Sequence, residues 1–290
     1  KQKSIKRLMV PLEFWFCRNN GNMIPLLNMI YSEMSIDVTF NDLSNVLYID
    51  SDSEYMRKPK LKCSLLAQFI YLEDEERKRM AQSKLEYLIE RFNYNGLTSF
   101  SGNKLITSNG HSTDDIHIND VSLPAKIEIK MFDPIKYFVW YIKFKDGTTE
   151  QEIDKLNWNI FGYDVRNSDG VLISIKKPIL NITIKMNNIV REQSRDESFY
   201  TNVIPYVRGI PSFEKGMYMY AFSLSPLLFQ PTGSANFSEI DNAFIEIEFT
   251  NEVKNLLLSN KNLIVDTELW GCSQNVLRFI SGMSALLFFH

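Results

Sequence analysis

The sequence is short of the residues most catalytic and covalent chemistry needs. It holds 3 Cys and 3 His in 290 residues. Cys17, Cys63 and Cys272 are too few and too scattered for a disulfide framework, so they are expected as small buried hydrophobes in a reducing compartment. His111 and His117 lie in one polar stretch and His290 is the last residue. A metal site drawn through His111, Asp114, Asp115 and His117 matches no ligand spacing, so no metal and no cofactor are expected. The chain has no glycine-rich phosphate loop followed by Lys and Ser or Thr, no nucleophile elbow and no Cys–His pair, so no catalytic residue is assigned. With 12 Gly and 10 Pro it is neither collagen-like nor low-complexity, and 44% hydrophobic residues exclude a disordered chain. Charge of one sign is also lacking: 32 Lys+Arg against 35 Asp+Glu gives −3, which argues against a broad basic face for nucleic acid. Long apolar runs are absent. Residues 10–17 are interrupted by Pro11 and Glu13, and residues 279–289 by Ser281, Gly282 and Ser284, so neither reads as an export signal or a membrane span. The first residue, Lys1, is not methionine, which suggests a fragment or a processed product.

What the chain has in quantity is β-branched and aromatic residues between polar punctuation. Residues 35–40 (Ser-Ile-Asp-Val-Thr-Phe), 126–131 (Lys-Ile-Glu-Ile-Lys-Met), 180–186 (Leu-Asn-Ile-Thr-Ile-Lys-Met) and 243–249 (Ala-Phe-Ile-Glu-Ile-Glu-Phe) alternate with period two. That pattern predicts antiparallel strands with one face in a core. Residues 134–144 are apolar on both parities, as in a strand covered on each side. One segment breaks this rhythm. Glu73, Asp74, Glu75 and Glu76 precede Arg77, Lys78 and Arg79, a charge order that favours a helix over about 74–82, with 86–92 left between helix and strand. Its mixed charges are read as a solvated helix with local ion pairs rather than a nucleic-acid contact. Residues 96–121, 147–154 and 167–170 read as loops and turns, Ser168-Asp169-Gly170 being a hairpin signal.

The strand clusters on either side of the helix follow the same order. An aromatic strand (12–16, 217–222) precedes an irregular stretch, then an alternating strand (35–40, 243–249), then another apolar strand (65–72, 276–288). Long irregular connections between antiparallel strands suit jelly-roll sandwiches, in which successive strands cross between sheets. Glu128, Glu246 and Glu248 invite comparison with a glycosidase pair, but same-side spacing on a strand is better explained as a solvated or interface face. The aromatic groups Phe14-Trp15-Phe16, Tyr137 to Tyr141 and Tyr218 to Phe222 are assigned to core and subunit contact. The sequons at Asn181 and Asn236 are expected to be unmodified.

Several strings then acquire a specific meaning. Residues 230–243 (Gln-Pro-Thr-Gly-Ser-Ala-Asn-Phe-Ser-Glu-Ile-Asp-Asn-Ala) closely resemble the Q-P-S-G-x-x-N-F-S-R-I-D-N-A signature of the major capsid proteins of nucleocytoplasmic large DNA viruses. Residues 11–19, Pro-Leu-Glu-Phe-Trp-Phe-Cys-Arg-Asn, resemble that family's P-L-x-F-W-F-C-R-N segment. Residues 69–82 are similar to its inter-barrel linker, and 25–34, 86–90, 216–224 and 275–283 complete an ordered set. Thr232 and Glu239 depart from the usual Ser and Arg, and the second reverses a charge. Locally, Pro231 and Gly233 suit a tight turn, and Asn236, Ser238 and Asp241 can bond their own backbone.

The resemblance implies an all-β double jelly roll, with the first jelly roll only partly present. Residues 1–72 would supply its C-terminal strands, 73–85 the helical linker and 86–290 the second jelly roll. It further implies a structural protein of the virion shell, not an enzyme. The implied partners are further copies of itself as a homotrimer, neighbouring capsomers and minor capsid proteins, close to an internal membrane, with no direct nucleic-acid binding. Loops over about 192–213 and 227–242 are the expected contact regions. Two other functions suit the same residues: a scaffold of the immature particle, and a jelly-roll carbohydrate-active enzyme or glycan-binding module, which would need an exposed aromatic platform or a close carboxylate pair.

Overall fold

The computed structural model describes residues 9–40, 62–101, 124–146, 164–166, 172–175, 177–213, 216–259 and 263–288. His111, Asp114, Asp115, His117, His290 and the turn at 168–170 lie outside them.

Alternation becomes sheet wherever a partner strand is at hand. The strands are β1 (Leu85–Ser101), β2 (Ala125–Glu128), β3 (Pro134–Asp146), β4 (Asp164–Arg166), β5 (Leu172–Ser174), β6 (Ile179–Met186), β7 (Ile189–Arg195), β8 (Met217–Ala221), β9 (Ala235–Asn236), β10 (Ala243–Phe249), β11 (Leu263–Ile280) and β12 (Met283–Leu286). One sheet has the order β1-β11-β3-β8, with β12 added to β11 and β9 to β3. The other has the order β2-β10-β6-β7, and β4 pairs with β5 alone. Setting the small strands aside, the chain changes sheet at every step except β6 to β7. That is the connectivity of a jelly roll.

Among the described residues the α-helices are few. They are α1 (Asp74–Gln82), α2 (Ile204–Val207), entered through a π-helical turn at Phe199–Val203, and α3 (Asn251–Ser259). Helix α1 places Asp74, Glu75 and Glu76 in its first turn, buries no residue and pairs Asp74 with Arg77 at 3.3 Å. It is the solvated helix its charges predict.

The core lies between the inner faces of the two sheets. Phe138, Trp140 and Ile142 of β3, Val265 and Leu269 of β11 and Tyr218 of β8 are buried, as are Ile127, Ile182, Ile184, Ile245 and Ile247 from the opposite sheet. Trp140 stacks on Tyr218 and meets Tyr200 edge-on, each pair with centroids 5.6 Å apart. Tyr200 is fully buried and donates its hydroxyl to the carbonyl of Ile182 at 3.1 Å. Burial in this apolar setting raises its pKa well above the usual phenol range.

The chain divides into two compact units. Of the described residues, one contains 9–37, 63–90 and 275–288, and the other 38–40, 62, 91–274. The division falls within β1, between Glu90 and Arg91, and within β11, between Gln274 and Asn275. In the first unit, Asn28 is buried and its Nδ2 donates to the carbonyls of Met80 (2.7 Å) and Ser83 (3.1 Å). These carbonyls lie at the C-terminal end of α1, where that of Met80 also accepts the Ser83 N–H at 3.1 Å. The backbone N–H of Tyr31 donates to the Gly282 carbonyl at 2.8 Å, and that of Ser284 donates to Ser32 Oγ at 2.9 Å. Arg18 pairs with Glu90, and the rings of Trp15, Tyr87 and Phe279 are in series.

Several expected features differ. Residues 12–16, 35–40 and 65–72 are not strands: the first contains a 3₁₀ turn at Trp15–Cys17, and the other two are irregular. A strand exists only where a neighbour satisfies its backbone groups, and none of these segments has a ladder partner among the described residues. Cys17, at the end of that 3₁₀ turn, and Cys63, just before residue 65, are exposed, unlike buried Cys272. Residues 86–92 belong to β1, which continues through Gly96 (φ 96°) to Ser101, where a loop was expected. Residues 276–288 are a hairpin, turned at Ser281 and Gly282 with positive φ. The strand at 134–144 is fully covered on its inner face only, since Tyr137, Val139 and Tyr141 are half-buried.

Candidate functional site

Residues 221–238 contain no charged side chain, yet they form a loop clamped at many points. After β8 the chain leaves the sheet at Phe222 and Ser223, whose N–H groups both donate to the carbonyl of Lys136, at 2.9 and 3.1 Å. A turn follows in which Leu228 N–H donates to the Ser225 carbonyl at 3.2 Å, and Leu224 N–H donates to the Thr232 carbonyl at 3.2 Å. Thr232 bridges the loop's two limbs. Its Oγ1 accepts from Ser225 N–H at 3.0 Å and donates to the Ser225 carbonyl at 3.1 Å. This explains how Thr232 substitutes for the usual Ser: the bridge needs one hydroxyl. Gly233 has φ 119°, a conformation that side chains oppose.

Two polar side chains rise from the sandwich to hold the same loop. Lys136 Nζ donates to the Leu228 carbonyl at 2.8 Å, and Gln274 Nε2 donates to the Phe229 carbonyl at 3.0 Å. Lys136 is 0% exposed and Gln274 7%. Further on, Asn236 Oδ1 accepts from Ser238 N–H at 3.2 Å, the local bond its residue type predicts. Asn236 Nδ2 donates to Glu239 Oε1 at 3.1 Å, so the reversed charge at position 239 is used within the loop. Ser238 Oγ accepts from Asp133 N–H at 3.1 Å instead of bonding its own backbone. Asp133 is a buried carboxylate with φ 72°, and Arg91 holds it at 2.9 Å. Asn187 Oδ1 accepts from the N–H groups of Asp241 (2.9 Å) and Asn242 (3.3 Å), closing the far end.

Sequence reasoning found the loop but missed Lys136, Gln274, Asp133, Arg91 and Asn187. A signal existed for Lys136, which shares the parity of Phe138, Trp140 and Ile142 and therefore faces inward with them.

The other candidates fare differently. Glu246 is 9% exposed and sits between Lys185 at 2.7 Å and Lys126 at 3.3 Å. Burial pushes its carboxyl up, but the two ammonium groups outweigh that and hold it below the usual range. A carboxylate held in its ionised form by two ammonium partners is unsuited to donate a proton as a glycosidase acid. Glu246 is thus an inter-strand ion pair rather than part of a solvated face. Glu128 is exposed beside Lys130 at 3.0 Å, and Glu248 accepts from Asn181 at 3.3 Å. Among the described residues, no three His, Cys, Asp or Glu side chains come together as a metal site. Phe138, Trp140, Tyr218 and Tyr220 are buried and present no sugar platform. Exposed rings do occur at Tyr94 and Trp270, whose centroids are 4.4 Å apart.

Comparison with known proteins gives these features a common origin. Residues 76–285 match the family model described as large eukaryotic DNA virus major capsid protein, and residues 1–73 match that of the major capsid protein N-terminus. The chain belongs to the major capsid protein family of large eukaryotic DNA viruses. This is a family of structural proteins, not enzymes. The chain is 26% identical to the major capsid protein of Pyramimonas orientalis virus over 98% of its own length and 61% of the relative's. It is 24% identical to that of Phaeocystis pouchetii virus, covering 97% and 65%. Against that of Paramecium bursaria Chlorella virus 1 it is 25% identical, covering 98% and 67%. The chain thus spans about two thirds of the length of these relatives. Among solved structures, the PBCV-1 virus capsid shares its fold with a TM-score of 0.50 at 22% identity, over 76% of this chain and 55% of that one. The Faustovirus major capsid protein aligns with a TM-score of 0.51 at 13% identity, over 73% and 36%. In this capsid family, the double jelly roll is the fold, and the eight-strand sandwich described above is one jelly roll of it.

Proposed function

We propose that this chain builds the icosahedral shell of a large DNA virus, as a homotrimer whose jelly rolls give a pseudo-hexagonal capsomer. The observation that carries the reading is the family match over residues 76–285. Exposed apolar side chains support it. Phe92, Tyr94 and Leu97 on β1 and Trp270 on β11 are each more than 40% exposed, the rings of Tyr94 and Trp270 are in contact, and exposed apolar surface marks protein contacts. Residues 1–72 are assigned to a first jelly roll, although 12–16, 35–40 and 65–72 form no strand here, 73–85 to the linker and 86–290 to the second jelly roll, a division supported by separate family matches at 1–73 and 76–285. Neighbouring capsomers and minor capsid proteins are its further partners in the virion, and assembly takes place in the cytoplasm of the infected cell.

Closed symmetry lets identical surfaces be reused without open-ended growth, and a stable trimer interface should exceed roughly 1,000 Å². Mass measurement on the purified full-length protein at micromolar concentration tests this. Trimers or larger shells are expected; a stable monomer that never assembles would end the reading.

A further inference from the structure

The dipeptide Asn-Gly occurs at 20–21, 95–96 and 109–110, and the last of these lies outside the described residues. Asparagine is a chemically labile residue, and a following glycine exposes it further, because no Cβ hinders the approach of the glycine nitrogen to the carboxamide. Deamidation by that route needs a free carboxamide and a main chain that can bend toward it. The structure separates the two described pairs on both counts.

Asn95 lies inside β1, and both ends of its carboxamide are engaged. Its Nδ2 donates to the Glu128 carbonyl at 2.8 Å, and its Oδ1 accepts from the Lys130 N–H at 2.6 Å. Moving its Cγ onto the Gly96 nitrogen would break both bonds and bend a paired strand. Asn20 instead opens a single 3₁₀ turn, Asn20–Asn22, and is exposed together with Gly21. Among the described residues no group bonds its carboxamide. The turn is closed by Asn22 N–H on the Asn19 carbonyl at 3.2 Å and by Met23 N–H on the Asn20 carbonyl at 3.5 Å. Short, exposed turns of this kind open locally at little cost.

We propose that Asn20 is a site of spontaneous covalent modification, with water as the co-reactant, and that Asn95 is protected from it. The Gly21 nitrogen attacks Asn20 Cγ. A Cγ–N bond forms, the Cγ–Nδ2 bond breaks, and ammonia leaves with the proton of the Gly21 nitrogen. Water then opens the succinimide at either carbonyl and gives aspartate or isoaspartate. Both products add one negative charge. Isoaspartate also puts one more carbon into the main chain between the Asn19 carbonyl and the Asn22 N–H, so the bond that closes the turn is lost.

The test incubates the full chain at mildly alkaline pH, folded and in denaturant, and follows each site by tandem mass spectrometry of its peptide. The readouts are the exchange of NH for O and the appearance of isoaspartate. In denaturant Asn20 and Asn95 should react at similar rates. In the folded protein Asn95 should slow at least tenfold and Asn20 less than threefold. Gly21→Ala places a methyl 3.3 Å from Oδ1 of exposed Asn19, which can move aside. That variant should slow the reaction at Asn20 at least tenfold and leave Asn95 as it was. Folded protein in which Asn95 keeps pace with Asn20, or in which Asn20 is protected as strongly as Asn95, would overturn the assignment. Equal rates at Asn20 in wild type and Gly21→Ala would overturn the route through the Gly21 nitrogen.

Discussion

Residues 35–40 and 243–249 have nearly the same alternation and opposite fates. In the second, Ile245, Ile247 and Phe249 are 0%, 1% and 4% exposed, because β10 lies between β2 and β6 and pairs with both. In the first, Val38 and Phe40 are 58% and 55% exposed, and no strand forms. Intrinsic β preference is the same in kind. What differs is a ladder on each side and a second sheet to cover the apolar face. Residues 65–72 tell the same story, with Leu66 and Tyr71 at 81% and 92% exposure. A period-two pattern states which face will be buried if a sheet exists; it does not supply the sheet.

The largest test of this contrast is a pair of truncations. Ile245→Ala should destabilise the protein by about 2–5 kcal/mol, the range for deleting a buried aliphatic side chain. Val38→Ala should change stability by no more than about 0.5 kcal/mol, as for exposed positions. Denaturant unfolding measures both, and equal effects would break the comparison.

A smaller effect separates the two units. Asn28→Ala removes the donor from two carbonyls at the end of α1 and should cost about 1–2 kcal/mol. Hydrogen exchange should show the loss in α1 amides, with those of β3 unchanged. A uniform loss across both would show that the units open together.

The smallest effect concerns pH. Glu246→Gln leaves Lys126 and Lys185 without their shared carboxylate. Both lysines are partly exposed, so solvent screening reduces the loss to about 1 kcal/mol. The folded-state pKa lies below the ordinary 4.5, so the ion pairs stabilise the fold above that value. The benefit disappears as pH falls through the folded-state pKa. The gap between wild type and Glu246→Gln should therefore be full at pH 7 and close only as pH falls below the ordinary 4.5, through the lowered folded-state pKa. A gap that persists in acid would assign the effect to packing instead of charge.

Much of the sandwich was legible. The strands at 180–186, 217–222 and 243–249 agree with β6, β8 and β10 to within a residue, and α1 spans 74–82 as its charge order predicts. The signature loop was legible through family resemblance. Its fasteners were not. Lys136 and Leu228 are 92 residues apart, Gln274 and Phe229 45, and Asp133 and Ser238 105. No local pattern specifies such pairs, because each is set by the strand register that brings the two ends together.

By itself, then, the sequence determined the all-β class, the inward parity of the alternating segments that became strands, the acidic start of α1 and the charge-free composition of the 221–238 loop. Those are properties of single residues and near neighbours, fixed by side-chain volume, β-branching and charge. The tertiary structure decided which alternating segments became strands, that Glu246 lies between two lysines, and that the buried Lys136 ammonium reaches the Leu228 carbonyl. Ladders and buried ion pairs form only when distant segments satisfy one another's polar groups, so their energies belong to the pairing and not to either segment alone.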